Sequence, residues 1–205
     1  MIILIDNGHG KNTAGKCSPM LKGSIDVGSE FVEDDAFKEW KYTRVIAKQI
    51  VDKLTAMDYD AKLLVTETTD IALSERVRRV NSYCSKYGAG NVLLISVHAN
   101  ALGNATKWMT GRGWEAYTTI GKTNSDKLCG FLYARARKNF EGMKVRDVKE
   151  ANFYIIKNSK CPSVLTENFF YDNKEDLAYM VSDEGIHAVV RTHIEAILDY
   201  IQSKQ

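Results

Sequence analysis

His9 stands in the segment Ile5-Asp6-Asn7-Gly8-His9-Gly10, directly after the apolar run Met1-Ile2-Ile3-Leu4. His98 has the same relation to a second apolar run, Val92-Leu93-Leu94-Ile95-Ser96-Val97-His98-Ala99-Asn100. A third run, Ser163-Val164-Leu165-Thr166-Glu167-Asn168, ends in a carboxylate. A side chain at the end of a buried strand is held rigidly by the sheet and still faces a cleft. Two imidazoles and a carboxylate converging at neighbouring strand ends suit zinc, with one position left open for water. That is the chemistry of a metal-dependent hydrolase.

A third ligand has to come from elsewhere in the chain. Glu39 falls on a helical face with Tyr42, Thr43, Ile46, Ile50 and Leu54, a stripe that points at a core. An acid at the top of such a stripe needs a partner, because an unpaired buried charge is costly. A cation is one such partner, and the helix dipole is another account of a first-turn glutamate. Glu30, Glu33, Asp34 and Asp35 are neighbouring acidic candidates. Glu167 is open to three readings: a metal ligand, the base that deprotonates water, or an acid paired with a nearby Lys or Arg. His193 lies on the apolar stripe of Ile186, Val190, Ile194, Ile197 and Ile201 and reads as a packing residue. The helical zinc motif H-E-x-x-H does not occur.

Period and run length predict strands over 2–6, 61–66, 92–98, 113–118, 153–157 and 163–169. They predict helices over 37–57, 73–87, 124–140 and 183–202. This alternation argues for an α/β sheet with helices on both faces, which binds ligands beyond the carboxyl ends of its strands. His9, His98 and Glu167 all sit at such ends. The Gly-, Ser- and Asp-rich stretch 11–35 and the loop 102–112 follow His9 and His98 and are expected to wall the cleft.

The chain has 205 residues and a formal charge of +2. The length fits one catalytic domain, 1–205. The charge implies no polyanion partner, and no nucleic acid is expected. Arg76, Arg78 and Arg79 read as a solvated helix face. No run approaches the length needed to span a membrane. No signal peptide is visible, since the first strand leads straight to His9. The four cysteines, Cys17, Cys84, Cys129 and Cys161, lack C-x-x-C spacing and read as free thiols. Gly8 and Gly10 begin a nucleotide-binding pattern that Thr13 leaves incomplete.

Taken in order, these motifs resemble the zinc-dependent N-acetylmuramoyl-L-alanine amidases of the amidase-3 type. The resemblance runs nearly end to end. It is carried by Ile5–Gly10, Glu39, Leu73-Ser74-Glu75-Arg76, Ser96–Asn100, Gly113–Tyr117, Val148–Phe153 and Val164–Phe170. It implies a single twisted, mixed but mostly parallel sheet of about six strands flanked by helices. It implies zinc held by His9, Glu39 and His98, with Glu167 as general base. Asn100 and Asn152 are then candidates for positioning substrate or ligand groups. The implied reaction cleaves the amide between N-acetylmuramic acid and the L-alanine of the peptidoglycan stem.

The expected partner is peptidoglycan or a muropeptide, acted on at the bacterial cell wall by a monomer. The chain would be either a phage-type lysin made in the cytoplasm or a secreted enzyme trimmed of its leader. Asn7, the Asn168-Phe169 pair and the long 11–35 segment depart from the family pattern. A silent wall-binding module and a zinc peptidase of other specificity are the alternatives.

Overall fold

The computed structural model describes residues 1–204. The strands are β1 Ile2–Asn7, β2 Val32–Glu33, β3 Ala36–Phe37, β4 Asp60–Leu63, β5 Val92–Asn100, β6 Glu115–Thr118, β7 Lys149–Glu150 and β8 Ser163–Phe170. The helices are α1 Glu39–Ala56, α2 Leu73–Tyr87, α3 Asn124–Asn139, α4 Tyr154–Asn158, α5 Lys174–Val181 and α6 Asp183–Gln202. Six strands form one sheet in the order β4-β1-β5-β8-β6-β7, and β2 pairs with β3 in a small separate ribbon. Every neighbour in the large sheet is parallel except β6 with β8.

The side-chain alternation of the strands builds two cores. Ile3, Ile5, Leu93, Ile95 and Val97 face the layer containing α1, α3 and α6. Ile2, Leu4, Val92, Leu94 and Leu165 face the thinner layer of α2 and α4. Covering on both faces explains why β1 is buried at every position and reads as an unbroken apolar run. The expected α/β class, the mostly parallel sheet and the helices on both faces are all present.

The segment 153–157 is not a strand. It is the short helix α4, closed by Lys157 N donating to Phe153 O at 2.9 Å. Adjacent Ile155 and Ile156 are both buried. A strand would send them to opposite faces, whereas one helical turn lays both against α2 and the sheet. Helix α5 had no clear periodic signal. Its start is set by Asn173, whose side chain accepts from Glu175 N and Asp176 N.

His193 packs inside the α6 layer with no exposure, as its apolar stripe predicts. Nδ1 donates to Val189 O at 2.7 Å, which leaves Nε2 to accept from the Thr166 hydroxyl at 2.9 Å. Burial pushes its pKa down to about 4. An unfolded histidine takes its proton near pH 6.5, so the folded state binds fewer protons between those values. Stability is therefore complete above about pH 6.5 and falls as the pH drops toward 4, by about 2–3 kcal/mol at pH 4.5. Urea midpoints at pH 7 and 4.5 should separate less for His193→Gln than for the wild type by roughly that energy. Equal separations would show that His193 titrates normally in the fold.

Candidate metal centre and cleft

Register brings the motifs together. His98 pairs with Glu167 across β5 and β8, and Asp6 pairs with Ser96 across β1 and β5. Asp6, Ser96, His98 and Glu167 continue the strand face that carries Leu4, Leu94 and Leu165. His9 follows β1 at φ 63°, a left-handed backbone that turns the chain sharply after the strand. Gly8 has to be a glycine because a Cβ there would lie 2.3 Å from the His98 ring. Gly10 is pressed against the Asp70 backbone in the same way, at 2.1 Å. The two glycines thus admit a neighbouring ring and a neighbouring loop, and no phosphate-binding role is needed to explain them.

Glu39 is the first residue of α1 and is only 1% exposed. Its carboxylate lies between the two imidazoles. His98 Nδ1 is 3.3 Å from Oε1, and His9 Nε2 is 3.4 Å from Oε2. Ala99 N donates to Oε1 at 3.1 Å, while buried Oε2 accepts no hydrogen bond. The two rings stand edge to face, with centroids 5.0 Å apart. One donor atom from each of the three residues lies within 4.8 Å of the others. Tetrahedral zinc with bonds of about 2.0–2.1 Å separates its ligand atoms by about 3.3 Å. The spacing, the donor chemistry and the orphaned oxygen all fit such a cation. Glu30, Asp34 and Asp35 are exposed, and Glu33 is half-buried and salt-bridged to Lys11, so none of these acids joins the cluster.

Burial pushes His9 down to about 4, against the attraction of Glu39. His98 rises despite its burial, because Glu39 hydrogen-bonds to it and Glu167 adds negative charge. Burial opposes ionisation of Glu39, yet the hydrogen bond from His98 and the two imidazoles hold its pKa below the ordinary carboxylate value. Glu167 is pushed up to about 8, chiefly by burial. His98 opposes this rise and Glu39 adds to it. Buried Glu167 Oε2 accepts no hydrogen bond.

These groups open into a cleft of about 300 Å³ lined by His9, Lys16, His98, Asn100, Phe153, Tyr154, Glu167 and Tyr171, among others. Gly15 and Lys16 come from the 11–35 segment and Gly103 from the 102–112 loop, so both loops border the cleft as expected. Asn100 donates to Glu115 at 2.8 Å. Asn152 is exposed, accepts from Thr119 at 3.2 Å, and is not among the lining residues. A larger hollow of about 710 Å³ is lined by Lys122, Lys157 and Lys160 and includes no histidine.

Several supporting residues escaped the sequence reading. Arg76 is 2% exposed, not on a solvated face, and its guanidinium is 2.6 Å from Asp6. Arg78 and Arg79 do pair with Glu75 near the surface. Buried Glu115 accepts from Tyr117, Asn100 and Lys149 and pairs with Arg146. Asn168 donates to His98 O at 2.9 Å and accepts from Trp114 at 3.0 Å. One extra residue between Glu167 and Phe170 makes a bulge here, with Phe169 at φ 69°. The Asn168-Phe169 pair thus terminates regular pairing and fastens the backbone of His98. A polar residue in an otherwise apolar strand was the available signal for Asp6, Ser96 and Asn168.

The sequence profile of the Amidase_3 family, described as N-acetylmuramoyl-L-alanine amidase, matches residues 3–199. The chain belongs to this family. It is 27% identical to the endolysin of Bacillus phage SPP1, over 100% of this chain and 67% of the relative. It is 32% identical to the N-acetylmuramoyl-L-alanine amidase LytC of Bacillus subtilis strain 168, over 85% of this chain and 30% of the relative. The chain therefore spans two thirds of one relative and under a third of the other. The crystal structure of an N-acetylmuramoyl-L-alanine amidase from Clostridium difficile 630 shares the fold, with a TM-score of 0.76 and 23% identity over 100% of this chain and 98% of that one.

Asp172 secures the cleft's second loop. It has no exposure, and its Oδ2 accepts from Leu102 N at 2.9 Å and Gly103 N at 2.7 Å. Asp172→Ala is expected to cost about 1–3 kcal/mol and to speed amide exchange at those two residues. Unchanged exchange there would remove Asp172 as the anchor of the loop.

Proposed function

We propose that this chain hydrolyses the amide joining the lactyl group of N-acetylmuramic acid to the L-alanine of the peptidoglycan stem. His9, Glu39 and His98 would hold a zinc ion, and Glu167 would act as general base. The observation that carries this reading is the buried carboxylate set between two imidazoles at 3.3 and 3.4 Å, beside a cleft with Glu167 on its wall. Membership of the amidase family supports the choice of bond.

Bound zinc supplies Lewis acidity, which polarises a carbonyl oxygen and makes water a better nucleophile. The protein side of the reaction follows from its own groups. The cleft walls hold the glycopeptide, with Lys16 as a cation for its carboxylates and Phe153 and Tyr154 as partly exposed rings. Glu167 projects on the same strand face as His98, and its unpartnered oxygen is free to take a proton from the attacking water. It then delivers that proton to the amide nitrogen as the C–N bond breaks, so the products are a lactyl carboxylate and a free alanine amine. A cation held by His9, Glu39 and His98 would favour the ionised form of Glu167 over the protonated form that burial favours.

Among the described residues, no helix is long and apolar enough to cross a membrane. We place the site of action at the bacterial cell wall, reached by phage-type release or by secretion, and the working unit as a monomer of one catalytic domain. A binding module without activity has no use for an unpartnered acid beside a ligand cluster, and this favours the enzyme over that alternative.

Digestion of purified sacculi should yield muropeptide fragments with a new alanine amino terminus, identified by mass spectrometry. Products cut within the stem peptide would instead indicate a zinc peptidase. Stripped protein should take up about one zinc per chain, and the loaded protein should lose activity on chelation. An active metal-free preparation would overturn the mechanism. Glu167→Gln is expected to retain zinc while turnover falls by roughly 10²–10⁴; full turnover would reassign the base.

A further inference from the structure

We infer that Arg76, Asp6 and Ser96 form a buried positioning relay that fixes the proton on His98 Nε2 and so presents Nδ1 to the metal. The inference rests on the proposed ligand role of His98. Asp6 and Ser96 are adjacent across β1 and β5, and Ser96 and His98 share one face of β5, so strand pairing alone lines up the three side chains. None of Arg76, Asp6 and Ser96 is more than 2% exposed.

The bond directions follow from what each group can donate. Arg76 has donors only, and it gives them to Asp6 Oδ1 at 2.6 Å, Asn7 O at 2.8 Å, Ile71 O at 2.8 Å, Asp70 at 3.0 Å and His9 O at 3.3 Å. The second oxygen of Asp6 accepts the Ser96 hydroxyl at 2.6 Å. With its one proton committed there, the Ser96 oxygen is left to accept from His98 Nε2–H at 3.1 Å. Without a cation the other ring nitrogen, Nδ1, donates to Glu39 Oε1 at 3.3 Å, and it is this nitrogen that would give up its proton and offer a lone pair for coordination. The same guanidinium grips the carbonyl of His9, so one buried cation registers both imidazoles. Groups hydrogen-bonded to the far nitrogen of a ligating histidine set its tautomer and typically change metal affinity 10–100-fold.

Two variants test the relay. Ser96→Ala removes the acceptor and should weaken zinc about 10–100-fold, measured by competition with a chromophoric chelator. In metal-free protein it should also abolish the exchange-protected Nε2–H resonance of His98. Asp6→Asn keeps the shape but can donate an amide proton to Ser96. That turns the serine hydroxyl toward Nε2 and moves the His98 proton to Nδ1, visible in ring nitrogen shifts at alkaline pH, again with weakened zinc. Ile194→Val, a core change in α6, should leave zinc affinity and the ring signals unaltered while lowering stability. Zinc affinity within twofold of wild type in Ser96→Ala, or a neutral wild-type His98 at alkaline pH protonated on Nδ1 and not on Nε2, overturns the relay. If the wild type binds no zinc yet shows an Nε2–H signal that Ser96→Ala loses, the relay stands and the ligand assignment falls.

Discussion

Glu39 is a nearly inaccessible carboxylate with one oxygen that accepts no hydrogen bond, and the surrounding structure is arranged around it. Burying an ionised acid is costly unless compensating charge is close. The helix N-terminus that carries Glu39 contributes part of that compensation. Two imidazoles contribute more, but a neutral imidazole is a weak partner for a full negative charge. A divalent cation among the three would resolve the imbalance, and on that ground we propose the centre as a metal site.

The sheet turns that local requirement into a precise geometry. Parallel pairing of β1, β5 and β8 sets Asp6 beside Ser96 and His98 beside Glu167, with all four side chains on one face. The helices behind that face, α2 and α4, contribute Val77, Val80, Ile155 and Ile156 to the core. Beyond this apolar layer the polar residues take over and the cleft opens. The opposite face of β8 does different work. Thr166 and Asn168 tie the strand to His193, Trp114 and the His98 carbonyl, so both faces of one strand serve the site.

Glycine has a packing role in this design. Gly8 gives the His98 ring room, and Gly10 lets the Asp70 backbone approach. Arg76 then closes the same corner by bonding to Asp6, Asp70 and three backbone carbonyls. A buried ion pair of this sort is weak evidence of stability, because desolvation offsets much of its attraction. Its better-supported use is to specify one arrangement, and here that arrangement holds both imidazoles.

The order of apolar runs and helical stripes determined the fold class, four of the long helices and the strand ends that carry His9, His98 and Glu167. It did so because a strand covered on both faces and a helix covered on one leave their periods in the chain. The stripe of α1 also singled out Glu39 as an inward-facing acid. Tertiary structure alone decided what lies beside what. Arg76 looked like one of a group of surface arginines until α2 docked against β1, and α4 looked like a strand because a single helical turn is too short to show its period. Asn152 shares a motif with Phe153, which lines the cleft, but is itself exposed and hydrogen-bonded to Thr119. Partners fixed by register between strands about ninety residues apart, as Asp6 and Ser96 are, leave no local pattern, since the pairing energy that selects them belongs to the whole sheet.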